Sequence, residues 1–127
     1  MTVDVIFIEP FFPANQRQFV RALHSVGARV TAIGESPKGI LDDELKSWMF
    51  HYEQVPNVTD DAAVLKVVKW VQDKVRVDRL EATIEAHIMA AARVREACKI
   101  PGTSVRTAWL CRDKPTMKEV LREAHIP

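Results

Sequence analysis

The sequence predicts an α/β fold: a doubly wound, mostly parallel four-stranded sheet in the order 3-2-1-4, Rossmann-like, with helices on both faces. Three observations predict it. Short runs rich in Val, Ile and Phe alternate with longer stretches whose apolar residues recur every three or four positions, in a βαβ-β-αβα pattern. The first run, Val3 to Ile8, is apolar except for Asp4, as in a strand covered on both faces. Right-handed crossovers between such units put helices on both sides of the sheet. The simplest strand order sets strands 1 and 4 side by side in the middle, with the switch point between them. Ligands of open parallel sheets sit outside the carboxyl ends at that point.

The first strand ends at Glu9-Pro10-Phe11-Phe12-Pro13. Asn15 is placed to cap the first helix, with Gln18 three residues on in capping-box position. Phe19, Val20, Leu23 and Val26 form its inner face, and Gly27 stops it. Ala28 to Ile33 is a second strand, half polar and therefore nearer an edge. Gly34 to Gly39 is loop, and Leu41 to Lys46 a short helical turn. Trp48 to Val55 reads as a third strand, the most exposed because of His51, Glu53 and Gln54. Thr59, Asp60 and Asp61 open a second long helix with acids at its positive end. Val64, Val68, Val71 and Val75 line that helix on one side. In the fourth strand, Arg79 to Glu85, Leu80, Ala82 and Ile84 alternate with Glu81 and Thr83. An Ala-rich helix from His87 to Cys98 then packs close to the sheet.

Composition narrows the function classes. The 127 residues make one domain of ordinary size, and 47% hydrophobic residues suffice for a core. A net charge of +1 argues against nucleic acid as partner. No apolar run approaches membrane-spanning length, and Met-Thr-Val-Asp leads into a strand instead of a signal peptide. Cys98 and Cys111 are too few and too unpatterned for a disulfide scaffold or a zinc site, which fits reduced thiols and a cytoplasmic protein.

The first strand–helix loop excludes a dinucleotide site. Such a site needs Gly-x-Gly-x-x-Gly so that backbone can approach a pyrophosphate. Here two prolines remove N–H donors and two phenylalanines fill the loop, as packing anchors rather than a stacking platform. The sequence contains no phosphate loop, no acidic constellation of a receiver domain and no nucleophile–base pair. The walls of the switch point are Glu9 to Pro13 and Glu85 to His87. Glu9 and Glu85 together could hold an amine or a cation, although each alone is more often a helix cap or an ion-pair partner. His87 could move a proton, although a solvated cap is the commoner role. Glu81, on a central strand, needs a partner if it is buried.

Residues 100 to 127 hold a Pro101-Gly102 turn, a helical piece capped by Thr103 or Ser104, the charged knot Arg112-Asp113-Lys114, and a last helix. Asp113 is its N-cap and Pro115 falls in its first turn. Met117, Val120, Leu121 and Ala124 share one face. Lys118, Glu119, Arg122 and Glu123 cover the other.

This stretch resembles the ATP-grasp superfamily, whose N-terminal domain closes with a helix of the pattern Asp-Lys-x-x-x-Lys-x-x-Leu-x-x-Ala-Gly-Ile-Pro. Asp113, Lys114, Lys118, Leu121, Ala124, Ile126 and Pro127 match, as does Ile100-Pro101-Gly102-Thr103-Ser104 upstream. His125 stands where Gly is usual, a less comfortable residue for the left-handed position. The resemblance implies that residues 1–127 are the N-terminal (pre-ATP-grasp, Rossmann-like) domain of a carboxylate–amine ligase, similar to that of biotin carboxylase and carbamoyl-phosphate synthetase. It further implies ATP and Mg²⁺ as cofactors of the whole ligase, none of them expected bound to this chain alone. A small-molecule carboxylate would be the substrate, and ATP-grasp domains beyond residue 127 the partner. Lys114, with Arg112 beside it, would contact the ATP phosphates, while Lys118 is surface. The fragment by itself is expected to be inactive. Trp109, Leu110 and Met117 are expected to leave apolar area for the missing domains or for a homodimer. The alternative is a stand-alone flavodoxin-like or Rossmann-like module that binds a small ligand or a protein. Reading the coding sequence past codon 127 separates the two.

Overall fold

The computed structural model describes residues 2–127. Four strands, β1 (Asp4–Ile8), β2 (Arg29–Gly34), β3 (His51–Gln54) and β4 (Arg79–Ala82), form one sheet in the order β3-β2-β1-β4. All three pairings are parallel: β1 aligns Ile6 with Thr31 of β2 and with Leu80 of β4, and Thr31 lies beside His51 of β3. Six helices complete the fold: α1 (Gln16–Ser25), α2 (Asp43–Ser47), α3 (Asp61–Gln72), α4 (Glu85–Ala97), α5 (Val105–Arg112) and α6 (Lys114–Glu123). The α/β architecture and strand order are those the sequence predicts. β4 differs in one respect: it is an edge strand, beside β1 but not in the middle of the sheet.

The side-chain period of two divides β1 between two cores. Ile6 and Ile8 face one side, where they join Val64 and Val68 of α3 and Ala91 and Val94 of α4. Phe7 faces the other, with Val20 of α1, Leu45 of α2 and Tyr52 of β3. Ala90, Ala91 and Ala92 are all buried, so α4 does lie close to the sheet.

Several expectations are corrected. β2 is buried along its length after Arg29, because both faces are covered. β3 is only four residues long: α2 extends to Ser47, and Trp48 and Met49 pack as loop against the second core. Asn15 makes no side-chain cap bond, so the capping box with Gln18 is absent. Phe19 is 41% exposed, though its ring stacks on Phe7, and Val26 lies past the helix at 80% exposure. Val75 is beyond the end of α3 yet packs on the first core. Gln16 is buried instead, for a reason that belongs to the site.

The carboxyl-terminal caps are those the sequence predicts, while Ala124, read as part of the apolar face of the last helix, lies past the end of α6 and is exposed. Ser104 caps α5 through the N–H of Thr107, at 3.1 Å. Asp113 caps α6 by accepting from the N–H of Thr116, and Pro115 lies in the first turn. His125 takes φ 60°, the left-handed position after the helix. No residue of α6 is fully buried, so its cap carries much of its order. Asp113→Ala is expected to cost α6 about 1 kcal/mol. The check is amide exchange over Lys114–Glu123, which should accelerate while β1 stays protected.

Candidate functional site at the carboxyl ends of β1 and β4

A cleft of about 420 Å³ opens outside the carboxyl ends of β1 and β4, lined by Glu9, Phe12, Pro13, Glu35, Ile84 and His87. It is where the switch point of such a sheet places a ligand. Its floor is built by the turn after β1. Glu9 sits at φ 64° and is 5% exposed. Its N–H donates to Ile33 O at 2.7 Å, which ties the turn to β2. Its Oε2 accepts from the N–H groups of Phe11 (2.9 Å) and Phe12 (3.0 Å), and Oε1 from that of Glu35 at 3.5 Å. The carboxylate thus supplies acceptors to a loop whose prolines cannot continue a backbone ladder. Gln16 locks the same turn to β4. Its Nε2 donates to Glu9 O at 3.1 Å and to Thr83 Oγ1 at 2.9 Å. This network is why Gln16 is buried at the start of α1.

Tyr52 closes the side toward β3. Its hydroxyl donates to Ser36 O at 2.5 Å, and a side chain on Gly34 would meet that hydroxyl at 2.8 Å, so glycine makes the room. Burial, and then the negative charges of Glu9 and Glu35, push the Tyr52 phenol up to about 12. The phenol therefore stays protonated and remains a donor at neutral pH.

His87 lies in the first turn of α4, with its N–H donating to Ile84 O at 2.9 Å. Its Nδ1 is shielded from solvent and has no hydrogen-bond partner among the described residues. Burial holds its imidazole below the ordinary value, against the opposing pull of Glu9 and Glu35. Above the ordinary value of 6.5 both folded and unfolded forms are neutral, and the contribution of His87 to stability is complete. As pH falls below it, the unfolded chain takes the proton first, and stability is lost down through the lowered folded value. His87→Gln is expected to flatten that part of the stability curve, measured as melting temperature from about pH 7.5 to pH 5. An unchanged pH slope would contradict it.

The structure separates the other sequence-predicted residues. Glu85 does not end a strand: β4 stops at Ala82 and α4 begins at Glu85, whose side chain is 79% exposed and turned to Arg112 at 3.8 Å. It does not line the cleft with Glu9. Arg112, at the end of α5, is brought by that contact to the start of α4, close in sequence to His87. Lys114 is exposed at the first position of α6 and joins no salt bridge among the described residues. Glu81 lies on the edge strand and its side chain is 46% exposed, with Arg95 at 3.6 Å. Glu35, Gln16 and Tyr52 escape sequence reading, since a loop acid, a helix-start amide and an exposed-looking strand carry no local signal. Among the described residues no group of three or more His, Cys, Asp or Glu could hold a metal ion, and no helix is long and apolar enough to cross a membrane.

No family model and no curated protein sequence matches this chain. Among solved structures it is similar to the crystal structure of L-amino acid ligase from Bacillus licheniformis, with a TM-score of 0.74 and 17% sequence identity. The similarity covers 98% of this chain and 31% of that one. The chain therefore spans less than a third of the ligase's length, and what the two share is the fold.

Proposed function

We propose that this chain is the N-terminal, pre-ATP-grasp domain of an ATP-dependent carboxylate–amine ligase. The observation that carries the reading is a conjunction. The Asp113-Lys114 to Ile126-Pro127 pattern falls on a capped helix, at the end of a fold that matches part of an amino acid ligase over 98% of its length. In the proposed reaction a substrate carboxylate oxygen attacks the γ-phosphorus of ATP and ADP leaves, giving an acylphosphate. The amine then attacks the acyl carbon, phosphate leaves, and the ammonium proton passes to solvent or a base.

In this reading the chain supplies one wall of the active-site cleft and one phosphate contact. Lys114 fits a phosphate: it is exposed, free of carboxylate partners among the described residues, and leaves the backbone at a helix start set by Asp113. Arg112 is a weaker fit, since Glu85 already draws on its charge. Mg²⁺, which would screen the phosphate charge, finds no ligand set among the described residues, so the reading assigns its ligands to the ATP-grasp domains. Trp109, 50% exposed, and the half-buried Met117, Val120 and Leu121 would be covered by those domains. A cytoplasmic setting, where ATP is available, goes with the same reading.

The test is the coding sequence past codon 127 together with calorimetry on residues 1–127. A glycine-rich loop and an acidic metal-binding strand downstream are expected, with no ATP turnover and at most feeble nucleotide binding by the domain alone. Tight, Mg²⁺-dependent ATP binding by these 127 residues, or an open reading frame without those elements, would overturn the ligase reading.

A further inference from the structure

The sheet has two edges, β3 and β4, and they are finished differently. On β4 the carbonyl of Leu80 accepts from Nε and Nη2 of Arg95, and Leu80 is fully buried. On β3 nothing corresponds. Val55 N–H donates to Gly34 O at 2.9 Å, and in a parallel ladder every second residue turns its main chain to the same neighbour. Glu53 and His51 share that direction, so the N–H and C=O of Tyr52 point away from the sheet. No backbone group outside the sheet reaches them among the described residues. The Tyr52 side chain lies in the second core, and its main chain accounts for the 5% exposure that remains. An unpaired edge of this kind is a template for another strand.

The flanks of this edge are apolar on both faces. Phe50, 65% exposed, precedes β3 and lines a hollow of about 200 Å³ with Met49 and Tyr52. On the other face the ring of Trp70 lies 5.4 Å from that of His51 and lines a hollow of about 370 Å³ with Glu53 and Val67. The strand also carries its own complement. His51 and Glu53 stand on one face, either side of Tyr52, with Nε2 and Oε1 2.7 Å apart.

We propose that the outer edge of β3 is a self-association surface, to which a second copy of this chain adds its own β3 antiparallel, about a two-fold axis at Tyr52. The Tyr52 N–H of each copy donates to the Tyr52 carbonyl of the other. His51 then stands opposite Glu53 of the second copy, and Glu53 opposite the second copy's His51, as an isologous contact requires. These flanking pairs are the ones without ladder bonds, where Cα atoms approach to about 4.5 Å and side chains meet most closely. Sliding the pair by two residues sets His51 against His51 or Glu53 against Glu53, so the reciprocity selects one register. Four residues of ladder are too few to hold two chains together, and the exposed Phe50 and Trp70 are therefore part of the same surface. The surface involves neither α5 nor α6 and does not rest on the ligase reading.

The experiment is sedimentation equilibrium of the 127-residue chain from micromolar to millimolar concentration, with amide exchange measured over the same range. The mass is expected to rise from 14.4 kDa toward twice that value. Exchange of the Tyr52 amide should slow as it does so, while that of Val5 in the central strand stays constant. His51→Glu sets like charges opposite one another, and Glu53→Lys sets a lysine opposite His51. Each alone is expected to weaken association about tenfold or more. An equimolar mixture of the two variants should recover it, because each chain then meets the opposite charge in the other. A purely intrachain role of the His51–Glu53 contact cannot be rescued by mixing. A mass of 14.4 kDa at every concentration would overturn the proposal and leave the edge to a strand of another protein. A dimer with unchanged Tyr52 exchange, single variants that associate like the parent, or a mixture that fails to recover would overturn it equally.

Discussion

Arg95→Met is expected to destabilise the fold by about 2 to 3 kcal/mol, the largest effect of any single polar replacement proposed for this chain. Arg95 is 4% exposed in the last turn of α4. Its Nε and Nη2 both donate to Leu80 O, at 3.0 and 2.6 Å, and Nη1 donates to Thr103 O at 2.6 Å. One guanidinium thus ties the edge strand β4, the helix α4 and the chain entering α5 together. Glu81 is too solvated, at 46% side-chain exposure, for its 3.6 Å contact to be the main compensation for the buried charge. The carbonyls are, and removing the guanidinium takes these donors from them. The approach of Arg95 also explains Gly102, whose φ is 148° and where a side-chain carbon would fall 2.6 Å from Arg95 Cδ. Urea denaturation gives the value. Arg95→Lys should recover only part of the loss, because one ammonium cannot reproduce the planar fork. A midpoint for Arg95→Met equal to that of the parent would show that the guanidinium contributes no net stability.

In the proposed full-length ligase, Lys114→Ala is expected to weaken ATP use by roughly ten- to a hundredfold, at about 1.4 kcal/mol per factor of ten. The proposed contact is a charge-assisted hydrogen bond to phosphate, on the order of 1.5 to 3 kcal/mol. The same substitution should leave the melting temperature of residues 1–127 nearly unchanged. Lys114 is exposed and joins no salt bridge among the described residues, so the folded domain loses nothing with its charge. Lys118→Ala, a turn later on the same helix, is the control and should alter neither quantity. Unfolding of the domain by Lys114→Ala would make the residue structural. Full ATP use after the substitution would remove the phosphate contact from the proposed mechanism.

By itself the sequence determined what depends on neighbours along the chain. The period of two in Ile6, Phe7 and Ile8 assigns those residues to two faces without knowledge of any partner. The valines of α3 recur at helical spacing, and Val64, Val68 and Val71 are buried as that spacing requires. Asp60, Ser104 and Asp113 cap helices because a cap bond closes within three residues. Parallel strands joined by right-handed crossovers leave few strand orders, which is why β3-β2-β1-β4 was legible from composition and spacing. Only the tertiary structure decided the polar contacts made across the fold. Glu9 reads as a strand-end acid, but the turn to φ 64° directs its carboxylate onto the amides of Phe11, Phe12 and Glu35. Asn15 reads as a cap, but Gln16 is held by Thr83, 67 residues away in sequence. Glu85 reads as strand, but β4 ends at Ala82 where β1 no longer offers a ladder partner. Arg95 carries no local sign of burial, but its long stem carries the charge to the carbonyl of Leu80 on β4, which only the folded sheet brings near, and to that of Thr103. Local spacing records which side of an element is covered. Which polar atoms meet beneath that cover depends on strand order and register, and so on the whole chain at once.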